Sequence, residues 1–230
     1  MQPPSTWPPA NAENPLAVLV SGGLDSAILL GEALRVYPRV HPLYILTGAV
    51  WEELENRYLR RFLNAIRTPR LAPLAELALP VEDLYGEHWS LSGKNIPGAD
   101  TPDVAVFLPG RNVILLSKAL IWCHLHGVPE LATAPLGSNP FPDATPAFFD
   151  DFAEIVSSAV AGLVRVLRPY AALNLNKVDV LKRGIGMPLE LTLSCIRPVR
   201  GMHCGACNKC AERRNGFREA KLMDPTEYAE

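Results

Sequence analysis

The stretch from residue 16 to residue 34 constrains the fold of this 230-residue chain more than any other. Residues 17–20 are an apolar run typical of a buried parallel strand, and residues 26–34 predict a helix that Asp25 or Ser26 would cap. The loop between them consists of Ser21, Gly22, Gly23, Leu24, Asp25 and Ser26. Two glycines let backbone N–H groups approach an anion, and a helix N-terminus adds partial positive charge. The segment therefore predicts a phosphate-binding loop at the end of a strand.

The loop is not a Walker loop, because GxxxxGK[ST] requires a lysine that is absent here. Its SGGxDS pattern resembles that of the PP-loop ATP pyrophosphatases. The resemblance implies that residues 21–26 hold the β,γ-diphosphate that leaves when the α-phosphate of ATP is attacked, with Ser21 and Asp25 as catalytic residues and Mg²⁺ as counterion. The structural alternative is a Gly-Gly turn followed by an Asp that caps a helix.

Charge and composition favour a small substrate. The formal net charge is −2, so no general electrostatic attraction to nucleic acid or to an anionic membrane is expected. No apolar run reaches the roughly 20 residues of a membrane span, and residues 1–15 lack the features of a signal peptide. We therefore expect a cytoplasmic protein whose five cysteines are reduced.

Strands and helices alternate along the chain, which predicts an α/β fold with a doubly wound parallel sheet. The predicted strands lie at residues 17–20, 40–46, 76–81, 131–135 and 170–173. The predicted helices lie at residues 26–34, 52–67, 113–124, 146–167 and 177–183. We expect three regions: a flexible Pro-rich arm over 1–15, an ATP-binding α/β domain over 16–190 and a small metal-binding module over 191–230.

Polar residues next to these elements are candidates for substrate binding. Arg111 and Asn112 stand at the start of a strongly apolar helix, where they need partners in a ligand or in an internal network. Asn139 and Asp143 follow the fourth strand, and ligands collect beyond the carboxyl ends of parallel strands. Turn chemistry is the alternative for both. Lys94 lies in a long loop over 85–103 that either lines the site or is solvated.

A cysteine cluster follows near the end of the chain. Its pattern is C-x8-C-x2-C-x2-C, formed by Cys195, Cys204, Cys207 and Cys210. Four thiolates in a reducing compartment suit a closed tetrahedral zinc site. An iron–sulfur cluster, or His203 in place of one cysteine, is the competing interpretation.

Taken together, these motifs resemble the 7-cyano-7-deazaguanine synthase (QueC) family over roughly residues 16–228. The segments that carry the resemblance are SGGLDS (21–26), LPGRN (108–112), NPFPD (139–143), Asn176-Lys177 and 190–210. The resemblance implies a PP-loop, adenine nucleotide α-hydrolase-like fold and a homodimer. It also implies ATP-driven conversion of a 7-carboxy-7-deazaguanine and ammonia to the nitrile, with Lys177 and Arg111 as further catalytic cations.

Two segments depart from the family's usual pattern. Residues 46–50 read LTGAV where an Asp-Tyr-Gly-Gln type segment is common, and residues 142–145 read PDAT in place of Pro-Asp-Cys-Arg. Two alternatives therefore stay open: a related enzyme that passes the adenylated acyl group to a different amine, and a nucleotide-binding protein without turnover. A tRNA-thiolation enzyme would need an RNA-binding domain and a basic surface, and the sequence shows neither.

Overall fold

A computed structural model describes residues 7–9 and 12–229 of the chain. Within them lies one parallel sheet of five strands: β1 Leu16–Leu19, β2 Val40–Leu46, β3 Ala75–Ala78, β4 Glu130–Ala132 and β5 Arg165–Leu167. The strand order is β3-β2-β1-β4-β5, and every neighbouring pair is parallel. The order reverses between β1 and β4, which is where such sheets form a ligand crevice. The predicted doubly wound sheet is confirmed.

Helices cover both faces of the sheet. In the described ranges they are α1 Leu24–Val36, α2 Glu52–Ala65, α3 Glu82–Tyr85, α4 Trp89–Ser92, α5 Arg111–Leu125, α6 Pro146–Ala159, α7 Pro169–Ala172, α8 Lys177–Arg183 and α9 Asn208–Ala220. Helices α1, α2, α8 and α9 pack on one face, and α5 and α6 pack on the other. None of these helices is long and apolar enough to cross a membrane.

Strand β1 is apolar at every position and lacks the alternation of a half-exposed strand. Leu16 and Val18 belong to the core beneath α1, whereas Ala17 belongs to the core beneath α5. All three are fully buried. A strand covered on both faces needs apolar side chains at every position, as parallel strands commonly do.

The start of α1 differs from the prediction. The helix begins at Leu24 with Gly23 as its N-cap, and no side chain caps it. The expected cap from Asp25 or Ser26 is therefore wrong. Both residues lie inside the first turn, so their side chains are available for contacts with other parts of the chain.

The fifth strand also differs from the prediction. The expected helix over 146–167 ends at Ala159, and β5 follows it, whereas the segment predicted as a strand near 170–173 begins as helix α7. Ala161 turns the chain with a φ of 51°, and a side chain at Gly162 would meet His124. The hydroxyl of Ser157 bonds both backbone groups of Val164, at 3.1 Å each. These contacts end the helix at Ala159, although the apolar pattern of the sequence continues beyond that residue.

The Pro-rich segment predicted as an arm is anchored at Trp7. Its indole is buried, and its Nε1 donates to Oε2 of Glu32 at 3.2 Å. Arg183 donates to the carbonyl of Trp7 at 3.1 Å and to Oε1 of Glu32 at 2.8 Å. The remaining residues of the predicted arm include 1–6, 10 and 11, which lie outside the described part of the chain.

The segment predicted as a long loop over 85–103 contains helix α4 and docks onto the cysteine-containing segment. Gly98 forms an antiparallel bridge with Cys207, and Asn208 donates from its backbone to Pro97 at 3.0 Å. The side chain of Asn208 also donates to the carbonyl of Thr101 at 2.7 Å. The loop and the start of α9 therefore brace each other beside the crevice.

Candidate active site

A cavity of about 380 Å³ opens at the carboxyl ends of the strands. Its lining includes residues that follow β1, β2 and β4, as expected for the crevice of a parallel sheet. Most of the predicted site residues meet here: Ser21, Gly23, Leu24, Asp25, Ser26, Arg111, Asn112, Asn139, Asp143 and Lys177. Lys94 is not among the lining residues. It is exposed and pairs with Glu87 at 3.2 Å.

Gly22 gives the phosphate-loop candidate its shape. Its φ is +71°, and a Cβ at this position would stand 2.9 Å from Cγ of Glu55 and 3.0 Å from the Glu55 carbonyl. Its own carbonyl accepts from the N–H of Leu193 at 2.9 Å. Both the backbone angle and the close approach of α2 therefore require glycine here.

Two serine hydroxyls close the loop from within. Ser26 Oγ accepts from the backbone of Ser21 at 3.1 Å and lies 3.2 Å from Ser21 Oγ. The first-turn N–H groups of α1 have no intrahelical acceptor, and Gly23 caps the helix without a side chain. The loop thus presents backbone donors at the positive end of a 13-residue helix.

Asp25 and Lys177 form the charged centre of the cavity. Lys177 Nζ donates to Oδ2 of Asp25 at 2.6 Å, although the two residues are 152 positions apart in sequence. The other oxygen, Oδ1, is buried and has no hydrogen-bond partner among the described residues. A buried carboxylate oxygen without a donor fits a cation such as Mg²⁺, which prefers oxygen ligands.

Lys177 is also held from the opposite side. Glu212 accepts from it at 2.8 Å and from Lys209 at 2.6 Å. Burial lowers the pKa of Lys177, but the carboxylates of Asp25 and Glu212 outweigh burial and raise the pKa above its ordinary value. Burial likewise opposes the charge of Glu212, and the two lysines outweigh it and lower its pKa to about 2. Lys177 and Glu212 are therefore both charged at neutral pH.

Arg111 and Asn112 begin α5 and have different roles. Asn112 donates from its backbone to Oδ2 of Asp143 at 2.9 Å and from its side chain to the Asp143 carbonyl at 2.7 Å. This is the internal network that the sequence allowed, and it leaves Asp143 in the cavity wall. Arg111 is exposed on the same wall, at a helix N-terminus where a positive charge is unfavourable. Such a placement suits a group that binds an anion.

Asn139 also lines the cavity. Its side-chain oxygen accepts from the backbone of Phe141 at 3.0 Å, which is the turn contact expected for Asn before Pro. Phe141 stacks on Phe107 with ring centroids 5.0 Å apart, and both rings line the cavity. This part of the cavity wall therefore offers a flat apolar surface next to a polar side chain.

Glu55 and Tyr44 belong to the cavity lining and were missed by sequence reasoning. The Tyr44 hydroxyl donates to Oε2 of Glu55 at 2.6 Å. Burial raises the pKa of Glu55 to about 8, against the opposing effects of Tyr44 and Arg111. A signal existed in the sequence, because Glu55 stands four residues before buried Leu59 and so on the apolar face of α2. A carboxylate on a buried helix face is a marker of function.

The four cysteines of the cluster are brought together and are all buried. Their sulfur atoms lie within 4.8 Å of one another, with 3.9 Å between Cys195 and Cys207 and 4.0 Å between Cys204 and Cys210. A tetrahedral ion with metal–sulfur bonds of about 2.3 Å requires about 3.8 Å between sulfurs. Backbone N–H groups of Arg197 and Cys204 donate to the Cys195 sulfur at 3.3 Å each, which favours its thiolate.

His203 does not take part in the cluster. Its Nε2 accepts from the backbone of Ser194 at 3.0 Å, so its lone pair is already used. Burial lowers the pKa of His203 to about 3 and keeps the ring neutral. The group of residues in the described chain that could hold a metal ion contains the four cysteines and not this histidine.

Comparison with known proteins shows which family this chain is related to. The profile of the family described as "Queuosine biosynthesis protein QueC" matches residues 16–221. The chain belongs to the QueC family. Its relatives include proteins named 7-cyano-7-deazaguanine synthase. The one from Anaeromyxobacter dehalogenans is 31% identical over 92% of this chain and 94% of the relative. Those from an Anaeromyxobacter species and from Methanothrix thermoacetophila are each 32% identical, over 93% and 91% of this chain and 95% and 96% of the relative.

The two departures from the usual QueC pattern occupy different environments. In the segment 46–50, Thr47 and Ala49 line the cavity, and the backbones of Thr47 and Gly48 donate to the carboxylate of Glu52. In the segment 142–145, Ala144 is buried beneath α5 and α6, and Thr145 caps α6 by accepting from Phe148 at 3.2 Å. Neither Ala144 nor Thr145 lines the cavity. The first departure therefore changes the cavity wall, whereas the second changes a packed turn behind it.

Proposed function

We propose that this member of the QueC family is an ATP-dependent ligase that converts 7-carboxy-7-deazaguanine and ammonia to 7-cyano-7-deazaguanine, with release of AMP and pyrophosphate. One observation carries the proposal. The SGGLDS loop lines the same cavity as Asn139 and Asp143. In that cavity Lys177 donates a hydrogen bond to Asp25 of the loop. The names of the relatives support the same reaction.

The reaction divides into two ATP-dependent halves. In the first half, a carboxylate oxygen attacks the α-phosphorus of ATP, pyrophosphate leaves, and ammonia then displaces AMP to give the amide. In the second half, the amide oxygen attacks a second ATP in the same way, and loss of AMP and of both N–H protons leaves the nitrile. The total is two ATP consumed and two AMP and two pyrophosphate formed for each nitrile.

Both halves need the same stabilisation of the leaving diphosphate. The backbone N–H groups of residues 21–26 and the start of α1 supply donors, and Lys177 and Arg111 supply positive charge. Mg²⁺ would bind the phosphates and neutralise charge that develops on the leaving group. The unpaired Oδ1 of Asp25 is the protein ligand we assign to it.

The deazapurine belongs on the side of the cavity away from Lys177. A guanine-type ring presents donors at N1 and the 2-amino group, and a carboxylate accepts both in paired hydrogen bonds. Asp143 is the acid we assign to this contact, with Asn139 beside it and Asn112 holding its position. The stacked rings of Phe107 and Phe141 offer a surface for the heterocycle. Lys94 has no part in this assignment, because it stands outside the cavity.

We also infer that the cysteine cluster holds Zn²⁺ as a structural ion. The sulfur separations match a single tetrahedral ion. Each cysteine of a four-iron cluster binds a different iron, so the sulfurs would stand further apart than they do here. All four sulfurs are buried, which leaves no open position for a substrate.

Three expectations about partners and location accompany the proposal. The cysteines are unpaired in the structure, which fits the reducing cytoplasm. We expect small-molecule substrates only, with no nucleic-acid partner, since the net charge is −2. We expect a homodimer, which light scattering of the purified protein would test.

The test is a reaction of the purified protein with 7-carboxy-7-deazaguanine, ammonium, ATP and Mg²⁺, followed by mass spectrometry. We expect the nitrile, AMP and pyrophosphate. Asp25→Asn should reduce turnover by about 100-fold, because it weakens the proposed Mg²⁺ ligand and the ion pair that holds Lys177 beside the leaving diphosphate. Asp143→Ala should lose far more activity than Thr145→Ala, which touches only the cap of α6.

Other products would contradict the proposal in distinguishable ways. ADP and orthophosphate would rule out the PP-loop chemistry. Adenylate that accumulates without amide at saturating ammonia would favour a different amine acceptor. ATP binding without any substrate-dependent consumption would favour a nucleotide-binding protein without turnover.

A further inference from the structure

Lys177 is placed by two carboxylates from different parts of the chain. Its Nζ lies 2.6 Å from Asp25 of the PP-loop and 2.8 Å from Glu212 of α9. Lys177 is the first residue of α8, where the helix dipole disfavours a positive charge. The position of its ammonium group therefore depends on these two partners and not on its own helix.

Glu212 is itself fixed by a third charge. Its second oxygen accepts from Lys209 at 2.6 Å, and Lys209 lies between the cluster residues Cys207 and Cys210 on α9. An alternating row of charges thus runs from the cysteine cluster to the PP-loop: Lys209, Glu212, Lys177 and Asp25. All four side chains line the cavity.

Helix α9 also makes room for the lysine. A Cβ at Gly216 would stand 2.8 Å from Cγ of Lys177. Because Gly216 lies one turn beyond Glu212, the same face of α9 supplies the space for the lysine stem and the carboxylate for its ammonium group.

The sharing of Lys177 has a consequence for Asp25. A lysine with a single carboxylate partner forms one tight pair, whereas this lysine divides its donors between two carboxylates. Asp25 keeps Oδ1 without a partner, and that oxygen is the one we assign to the metal bound to ATP. Glu212 is therefore a second acceptor for this lysine, beside the loop.

We propose that Glu212 is a positioning residue for ATP, which holds the Lys177 ammonium group beside the PP-loop before the nucleotide binds. The proposal rests on the proposed function in one respect, namely that Lys177 contacts the phosphates. Without Glu212 only Asp25 would hold the long side chain of Lys177 before ATP binds, so more of its rotamer freedom would have to be lost on binding of the nucleotide.

The test compares Glu212→Gln with Glu219→Gln, an exposed glutamate on the same helix that has no ion pair within the described chain. Glu212→Gln should raise the KM for ATP by about 10-fold, with a smaller fall in kcat, because it weakens binding that is common to the ground and transition states. The Kd of a non-hydrolysable α,β-methylene ATP analogue, measured by calorimetry, should rise by a similar factor. Glu219→Gln should leave both values unchanged.

A second measurement reports on the lysine without any turnover. Lys177 is largely buried in two ion pairs, so acylation by a water-soluble N-hydroxysuccinimide ester, followed by peptide mass spectrometry, should be slow in the wild type. The rate at Lys177 should rise several-fold in Glu212→Gln and remain low in Glu219→Gln. Glu212→Asp, which keeps the charge on a shorter stem, should give intermediate values in both measurements.

The outcomes separate this proposal from the proposed function. Absence of nitrile with weaker analogue binding in Glu212→Gln would contradict the reaction and support the positioning role. Unchanged analogue affinity and unchanged acylation in a folded Glu212→Gln variant would overturn the positioning role. Loss of bound metal or a large fall in Tm for this variant would overturn it as well, since Glu212 would then be a structural part of the cysteine module.

Discussion

The SGGLDS loop (residues 21–26) and the cysteine cluster both come from short stretches of sequence, but they are held together differently. The loop keeps its shape through its surroundings: Glu55 packs against Gly22, and Leu193 bonds its carbonyl. The cluster instead collects four sulfurs within 4.8 Å of one another in a buried site, where thiolates repel unless a cation is bound. The conformation of the loop therefore depends on the segments that pack against its backbone. The arrangement of the four cysteines depends instead on a bound cation.

The largest expected effect follows from a substitution in the cysteine cluster. Cys210→Ala removes a fully buried sulfur, and we expect loss of bound zinc together with more than about 3 kcal/mol of the free energy of unfolding. Metal analysis by mass spectrometry and urea unfolding measure the two effects. Cys123→Ala is the control, since Cys123 lies buried in α5 outside the cluster. It should keep the metal and lose about 1 kcal/mol. Folded wild-type protein purified without metal would contradict the prediction.

A smaller effect is expected from a substitution in the loop. Gly22→Ala forces a side chain into a φ of +71° and against Glu55, at a cost of about 2–3 kcal/mol in the free energy of unfolding. Gly110→Ala separates the two causes, because Gly110 has a φ of +72° and open space around its Cβ position. It should cost only about 1–2 kcal/mol. Bound metal should be unchanged in both variants, and equal losses of stability would show that contact with α2 does not shape the loop.

The smallest expected effect, when counted per pH unit, is a pH dependence of stability that originates beneath the loop. The folded pKa of Glu55 is raised to about 8 from an ordinary value of 4.5, so the folded protein binds the proton more tightly than the unfolded chain. Stability should therefore fall as the pH rises from about 4.5 to about 8, by at most about 1.4 kcal/mol per pH unit from this group.

Glu55→Gln should flatten that slope and keep an acceptor for Tyr44. Urea unfolding at pH 6, 7 and 8 measures the slope. Glu53→Gln, on the exposed side of the same helix, should leave it unchanged. If the Glu55→Gln and wild-type slopes coincide, Glu55 is ionised at neutral pH and its burial has no linked effect on stability.

Much of the fold could be predicted because its signals are local. Strand β2 and helix α8 occupy their predicted residues, since apolar periodicity and an Asn176 cap define them over a few positions. The fifth strand was misplaced for the opposite reason. Val166 in this strand and Val164 just before it are buried and alternate with more exposed neighbours, but a three-residue strand is too short to distinguish from the end of a helix.

The sequence by itself determined the parts of the site whose chemistry lies in consecutive residues: the glycines of the PP-loop and the spacing of the four cysteines. Only the tertiary structure decided which charges meet. Lys177 reaches Asp25 across 152 positions, and Glu212 approaches the same ammonium group from a third segment. The physical reason is that backbone conformation and metal-ligand spacing depend on near neighbours, whereas an ion pair in a crevice depends on how helices from distant parts of the chain pack around one sheet.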